Sequence, residues 1–464
     1  MEERPNFLFF LSDQHRGDWM PYCPSIKKSL GVSGLELQMP NIRELMDRGV
    51  TFSNAYSPAP VCAPARACLA SGRRYRSCRV YQNNVNYDPA LPNFYRDLKE
   101  NGYYVTGVGK FDLNKADLQW GDGFHTLLKQ MGFSTASDSE GKMDTVWAAL
   151  EGTPGPYGQM LKEAGWLEAY QKDMLARGCG DTPAPVPDEY YADNWIGKKS
   201  CGMLATMPGS QPWFMQVNFS GPHDPWDVTL HMKERVKNRR FPEAADCTIT
   251  QENQGVRQNY AAMIENIDRI IGNCIAQLDA QGMLDNTIIV YSSDHGEMMG
   301  DHNLYGKSRP EQGSIHIPMV IDASHWGGRS GLCNQSPVEL QDLAATFLEY
   351  AGIQTERKME SNSLKGIVEG RQEAVRTYAI SELIRQNRRG PLESFAAMTD
   401  GRWKIIMEGG KADRLYDLSA DPFECSDVAK RYPEQVQRLR KEFADQGEKP
   451  SPAMLQYIKS IYAG

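Results

Sequence analysis

Hydrophobic residues along this chain gather in short unbroken runs: Phe7 to Leu11, Tyr103 to Val108, Trp213 to Phe219, Thr287 to Tyr291 and Ile317 to Ile321. Each run is rich in aromatic or branched side chains and stops abruptly at polar residues, the pattern of strands buried on both faces. Between the third and fourth runs, Tyr260, Met263, Ile264, Ile267, Ile271, Ile275 and Leu278 recur at helical spacing, and Gly282 supplies a stop. That spacing predicts one long amphipathic helix ahead of the Thr287 strand. Shorter helices are predicted from about Asn41 to Arg48, ending at Gly49, and from about Val338 to Tyr350, ending near Gly352. Strands alternating with helices predict an α/β fold with a large, mixed but mostly parallel sheet flanked by helices.

The pattern changes twice. From about residue 134 to 187, Gly, Pro and charged residues dominate and strand signals are weak, which predicts an insertion of loops and short helices. Beyond Glu382, the segments Phe395 to Met398, Trp403 to Met407 and Leu415 to Leu418 predict a small antiparallel sheet, and a helix follows near Glu434 to Phe443. Residues 1–382 are therefore expected to form a catalytic domain and 383–464 a smaller C-terminal α+β unit.

Bulk composition removes several function classes. With 464 residues, 41% hydrophobic and 24% charged, the chain reads as globular and can bury a deep site. A net charge of -8 gives no general attraction to nucleic acid or anionic lipid, so neither is expected as a partner. The basic cluster Lys233 to Arg240 is followed by Glu243 and Asp246 and reads as a solvated helix end. Ten cysteines without CxxC pairs, no signal-peptide pattern at the N-terminus and no membrane-length apolar run predict a cytoplasmic protein. A chain whose leader had been removed would read the same. The tail after Lys449 reads equally as surface or as a contact in a homo-oligomer.

Candidate chemistry falls at the ends of the predicted strands. Asp13 and Gln14 follow the first, Lys110 the second, His223 the third, and Asp294 with His295 the fourth. Carboxyl ends of parallel strands form the ligand crevice of open α/β sheets, so these distant residues are expected to converge. Singly, either aspartate would read as a cap or turn residue. Together, two carboxylates, an amide oxygen and an imidazole form a credible divalent-cation set. Cys62-Ala63-Pro64-Ala65-Arg66 opens a predicted helix with Pro64 in its first turn and Gly72 as its stop. Cys62 would then sit at a helix N-terminus, where free N–H groups, the dipole and Arg66 favour a tetrahedral anion.

Cys-x-Pro-x-Arg, extended through Leu69-Ala70-Ser71-Gly72-Arg73, resembles the signature of the type I sulfatase family, in which the cysteine is oxidised after translation to formylglycine. Further matches are Ser12-Asp13-Gln14-His15-Arg16, Gly109-Lys110, Pro222-His223-Asp224-Pro225, Ser293-Asp294-His295-Gly296-Glu297, Gly300-Asp301-His302, Lys307 and Ile317-Pro318, in family order. Gly401-Arg402-Trp403-Lys404-Ile405, Leu415-Tyr416-Asp417-Leu418 and Asp421-Pro422 resemble the family's C-terminal sheet, so the likeness spans nearly the whole chain. It implies an alkaline phosphatase-like fold and a sulfatase acting on an organic sulfate ester, carbohydrate or aryl. It also implies a formylglycine gem-diol at position 62 as nucleophile, a maturation enzyme that installs it, and one divalent metal held by Asp13, Gln14, Asp294, His295 and residue 62. Lys110, His223 and Lys307 would neutralise sulfate and assist the leaving group, and Arg66 would hold the diol.

Four positions depart from the commonest family pattern. Gln14 replaces a second Asp and His295 replaces Asn, so the calcium usual in the family competes with manganese, iron or zinc. Asp112 stands where His is common after Gly-Lys-x, and His316 where Arg is common, so the final step uses Asp112 or His302 as its base or is organised differently. Asp-Gln with Asp-His also resembles the phosphonate monoester and phosphodiester hydrolases that share the fold, and this is the alternative activity. A noncatalytic carbohydrate-binding relative is the reading from another class.

Overall fold

The computed structural model describes residues 4–123, 127–178, 180, 182–248, 250–385, 393–446 and 454–456. Five strands, Thr287–Ser293, Asn6–Asp13, Trp213–Pro222, Tyr104–Gly109 and Thr135–Asp138, lie side by side and parallel at the centre of a nine-stranded sheet. Met319–Asp322, Val50–Phe52 and Leu332–Asn334 extend one edge, and Gly121–Gly123 ends the other. Met319–Asp322 and Gly121–Gly123 run antiparallel to their neighbours, so the sheet is mixed but mostly parallel.

The strand Asn6–Asp13 shows why the apolar runs are unbroken. Phe7, Phe9 and Leu11 enter one layer with Leu69 and Phe347, from the helices Cys62–Ser71 and Asp342–Tyr350. Leu8 and Phe10 enter the other with Ile264, Ile267 and Ile271 of the long helix Thr250–Ala280. Helices cover both faces, so the two-residue alternation of the strand has no polar side. All eight residues are buried, and each phenylalanine side chain contributes roughly 1.5–3 kcal/mol by leaving water.

Three expectations are corrected by tertiary pairing. The predicted helix from Val338 begins only at Asp342, because Val338–Glu339 pairs with Ala55–Tyr56 as a short strand. The run Ile317 to Ile321 is divided at Pro318, which has no N–H to donate: His316–Ile317 joins a small three-stranded sheet and Met319–Asp322 the large one. Within the expected insertion, Thr135–Asp138 is a strand of the main sheet, and polar Ser137 and Asp138 had masked it. Three helices, Lys142–Leu150, Pro156–Glu163 and Leu167–Arg177, follow it.

A four-stranded antiparallel sheet ends the chain: Ala379–Arg385, Glu393–Thr399, Trp403–Glu408 and Arg414–Asp417. The helix Pro433–Asp445 places Leu439 against Ile405 and Leu415. The first of these strands crosses the boundary expected near 382, and its buried polar residues Ser381 and Glu382 concealed it from a hydrophobic scan. Apart from residues 454–456, the tail after Lys449 lies outside the described residues. No helix among the described residues is long and apolar enough to cross a membrane.

Register brings the reactive residues to one edge. Ser12 lies opposite Ser293, Gly109 opposite Asn218, and Asp13 opposite Pro222. Asp13, Lys110, His223 and Asp294 therefore leave the sheet together at its carboxyl end.

Candidate active site

Cys62 is the first residue of the helix Cys62–Ser71, behind an extended Val61. Pro64 fits the first turn, where its missing N–H costs nothing. Gly72 ends the helix at φ 65°, a left-handed conformation that glycine takes without strain. Ala63 N–H donates to Asn83 Oδ1 at 3.1 Å, which ties the first turn to the loop that follows the helix.

Around the sulfur the structure gathers three cations and two carboxylates. Cys62 Sγ lies 3.2 Å from Lys307 Nζ, 3.3 Å from His295 Nε2, 3.8 Å from Lys110 Nζ and 3.9 Å from Asp13 Oδ1. Lys110 also donates to Asp13 Oδ2, and Arg66 reaches the same oxygen at 3.3 Å. Arg66 Nε holds Asp294 Oδ2 at 2.9 Å. Arg66 therefore braces both carboxylates from behind, with Lys110 O and Asn218 Oδ1 accepting its other hydrogens. Such buried charges are tolerable only because each is paired, and removing one partner leaves the other stranded.

The cross-pairing sets protonation. Burial presses Asp13 upward, but Lys110, His223, Lys307 and Arg66 outweigh it and hold the carboxyl well below its usual range. Burial and Asp13 press the Cys62 thiol upward, yet Lys110, Lys307 and His295 hold it well below the ordinary thiol value. Burial opposes the ammonium of Lys110, whose value Asp112, Asp13 and Cys62 nevertheless raise. The same cross-pairing thus favours an anion at position 62 and the ammonium form of Lys110.

Asp13, Cys62, Asp294 and His295 each offer one ligand atom, all four buried and within 4.8 Å of one another. Lys110 and Arg66 occupy the second oxygens of the carboxylates, while Asp13 Oδ1 faces the sulfur and Asp294 Oδ1, which accepts from the N–H groups of Gln14 and His295, lies 3.6 Å from His295 Nε2. Two hard oxygens, an imidazole and an atom of residue 62 suit a divalent cation. Gln14 stands beside this set at φ 72°: its amide oxygen accepts from Lys307 at 2.7 Å and its amide nitrogen donates to Asp224 at 3.0 Å and to Glu297.

His223 shares its Nε2 with Lys307 Nζ and its Nδ1 with the Asp224 carbonyl, so it stands at the rim of the cluster. Asp112 is one side chain further back, 3.3 Å from both Lys110 and Lys115. Burial opposes its ionisation, but Lys110, Lys115 and Arg66 lower it far below the carboxylate norm. His302 is not brought in: its Nε2 meets the Phe423 carbonyl at 2.8 Å and its Nδ1 lies 3.7 Å from Asp246. Its backbone is left-handed at φ 56°, and the side chain meets the segment that follows the last strand of the C-terminal sheet. Asp224, Glu297, Asn218 and Asn83 were not singled out from the sequence, although Asp224 and Glu297 lie inside the quoted motifs.

A family model described as Sulfatase matches residues 5–353, and one described as N-sulphoglucosamine sulphohydrolase, C-terminal, matches residues 300–449. An arylsulfatase of Clostridium perfringens is 27% identical over 94% of this chain and 93% of its own. Among solved structures, the phosphonate monoester hydrolase of Agrobacterium radiobacter superposes with a TM-score of 0.79 at 22% identity, over 98% of this chain and 97% of that one. A protein solved in complex with its substrate D-glucosamine-2-N,6-O-disulfate superposes at 0.76 and 18% identity, over 97% and 99%. At these identities both structures speak for the fold alone.

Proposed function

The chain belongs to the sulfatase family, the hydrolases of sulfuric esters, and on that premise we propose that it cleaves an organic sulfate ester with a formylglycine derived from Cys62. The observation that carries this reading is the buried meeting of Cys62 Sγ with Lys307, His295, Lys110 and Asp13 at a helix N-terminus. In the active protein the sulfur's place is taken by oxygens of the hydrated aldehyde, so a separate maturation enzyme that oxidises Cys62 is required. A divalent metal bound by Asp13, Asp294, His295 and residue 62 would supply Lewis-acid activation and charge neutralisation. Gln14 would join that set only by exchanging its bond to Lys307. The imidazole favours manganese, iron or zinc over calcium.

Residue 62 forms an oxygen–sulfur bond in line with the leaving group, whose own bond to sulfur breaks. Lys110 and Lys307 neutralise the sulfate oxygens, and the departing oxygen takes its proton from the Lys307–His223 pair, which the proton of the attacking hydroxyl replenishes. The remaining hydroxyl then loses its proton, the carbon–oxygen bond to sulfate breaks, the aldehyde re-forms, and water restores the diol. Asp112 would receive that proton only through Lys110, which stands between it and residue 62, and His302 is held against Phe423 instead. Residues 1–382 carry this chemistry, and 383–464 are joined to them through Glu424, which accepts from the Gln312 N–H. A carbohydrate or aryl ester is the proposed substrate.

The test is one kinetic panel on fully modified protein, comparing an aryl sulfate with an aryl phosphonate monoester and an aryl phosphodiester. Sulfate is expected to be the best substrate. A markedly poorer rate on sulfate would transfer the assignment to phosphonate or phosphodiester hydrolysis.

A further inference from the structure

The expected insertion is tied to the chemistry by one buried cation. Its first helix, Lys142–Leu150, opens on a lysine that is 3% exposed and whose ammonium reaches the turn carrying His223. Lys142 Nζ donates to the His223 carbonyl at 2.9 Å, to the Pro225 carbonyl at 3.2 Å and to Asp227 Oδ1 at 2.6 Å. These three oxygens match the three hydrogens of the ammonium, and two of them belong to the main chain. Secondary structure does not hold this turn: the strand ends at Pro222, His223 to Val228 belong to no helix or strand, and Pro222 and Pro225 have no N–H to donate. Side chains hold it instead. Asp193 accepts from the N–H groups of Ser220 and Gly221 at 2.7 and 3.1 Å, and Asn259 donates to the Trp226 carbonyl at 2.9 Å. Of these groups, Lys142 grips the carbonyl of His223 itself. The same helix start lies against a second cation of the site, since a Cβ on Gly141 would stand 2.7 Å from Lys110 Cε.

Burial disfavours an ammonium, and so does the first position of a helix, where the dipole is positive. Pairing with Asp227 accounts for one of its hydrogens, and the other two go to the backbone of the His223 turn. We propose that Lys142 is a positioning residue for His223. By fixing the carbonyls on both sides of Asp224, it keeps the imidazole with Nδ1 on the Asp224 carbonyl and Nε2 at Lys307. Lys142 acts through the turn and not on the reacting atoms. Releasing the turn displaces the imidazole, and a shift of about 1 Å lowers proton delivery by up to about 10^2-fold. This role rests on the proposed use of the Lys307–His223 pair as proton donor to the departing oxygen.

The test compares two aryl sulfates by kcat/KM, which covers every step up to departure of the phenol. The 4-nitrophenolate anion leaves readily without a proton, whereas the more basic phenolate needs one. Lys142→Met is expected to lower kcat/KM at least about 30-fold on phenyl sulfate and less than about threefold on 4-nitrophenyl sulfate. The ratio of the two is independent of how much protein is folded or modified, so a merely structural role leaves it at the parent value. Should Lys142→Met fail to fold, Lys142→Met combined with Asp227→Asn, which removes the stranded carboxylate as well, is measured in its place. An unchanged ratio, or failure of both variants to fold, overturns the proposal. His223→Ala is measured alongside. If it separates the two esters and Lys142→Met does not, only the positioning role falls. Equal losses on both esters from His223→Ala remove His223 as proton donor, and the role of Lys142 with it. If the parent acts on phosphonate monoesters instead, the same two phenols are compared as phosphonate esters; a separation there keeps the positioning role while the sulfatase reading falls.

Discussion

Two buried ion networks in this protein look alike on a list of charges and differ in what they leave open. Around Glu339 and Asp342, Arg376 donates to both carboxylates, Gln341 and the N–H of Ile380 donate to Glu339, and the N–H groups of Glu339 and Asn362 donate to Asp342. These partners are fixed parts of the fold, and the network fastens the short strand Val338–Glu339 and the helix Asp342–Tyr350 to the start of the C-terminal sheet. Around Cys62, by contrast, Lys110 and Lys307 lie beside carboxylates and still reach the sulfur itself. Buried ammonium groups turned on one reactive atom are costly for folding and useful for holding an anion. Closed pairing marks structure, and open pairing marks chemistry.

The comparison breaks first, if it breaks, at the reactive atom. Cys62→Ala is expected to lower turnover by at least about 10^4-fold while the melting temperature stays close to that of the parent. Retained activity on aryl sulfate would show that the open network is not catalytic. In the closed network the expected effects are reversed: Arg376→Leu should cost roughly 3–5 kcal/mol of stability by stranding Glu339 and Asp342, with kcat per folded molecule unchanged. Chemical denaturation paired with active-site titration checks both halves of that statement. Lys307→Ala should lower kcat/KM on an aryl sulfate about 10^2- to 10^3-fold, the range for losing one donor to a developing charge. The smallest effect belongs to a solvent-exposed pair, Arg43 with Asp47, where Asp47→Asn should change stability by no more than about 0.5 kcal/mol in denaturant titrations. A loss there as large as that from Arg376→Leu would remove burial as the distinction.

Much of the site was legible before any coordinates, because its residues follow strands and the ends of parallel strands must share one edge. Asp13, Lys110, His223 and Asp294 are of this kind, and the long helix was legible from its 3.6-residue period. His302 shows the limit: it follows Gly300-Asp301 in a recognisable motif, yet its backbone turns it to Phe423. Thr135–Asp138 and Ala379–Arg385 were missed because their buried polar residues imitate loop composition.

What the sequence alone determined is therefore the period-two and period-3.6 pattern, the α/β class, and the identity and order of the candidate site residues, all local properties of the chain. Only the tertiary structure decided that Lys110 and Arg66 meet at Asp13 Oδ2 and that Arg66 braces Asp13 and Asp294. Those outcomes depend on contacts between residues far apart in the chain, where a shift of an ångström exchanges a hydrogen bond for an unpaired buried charge.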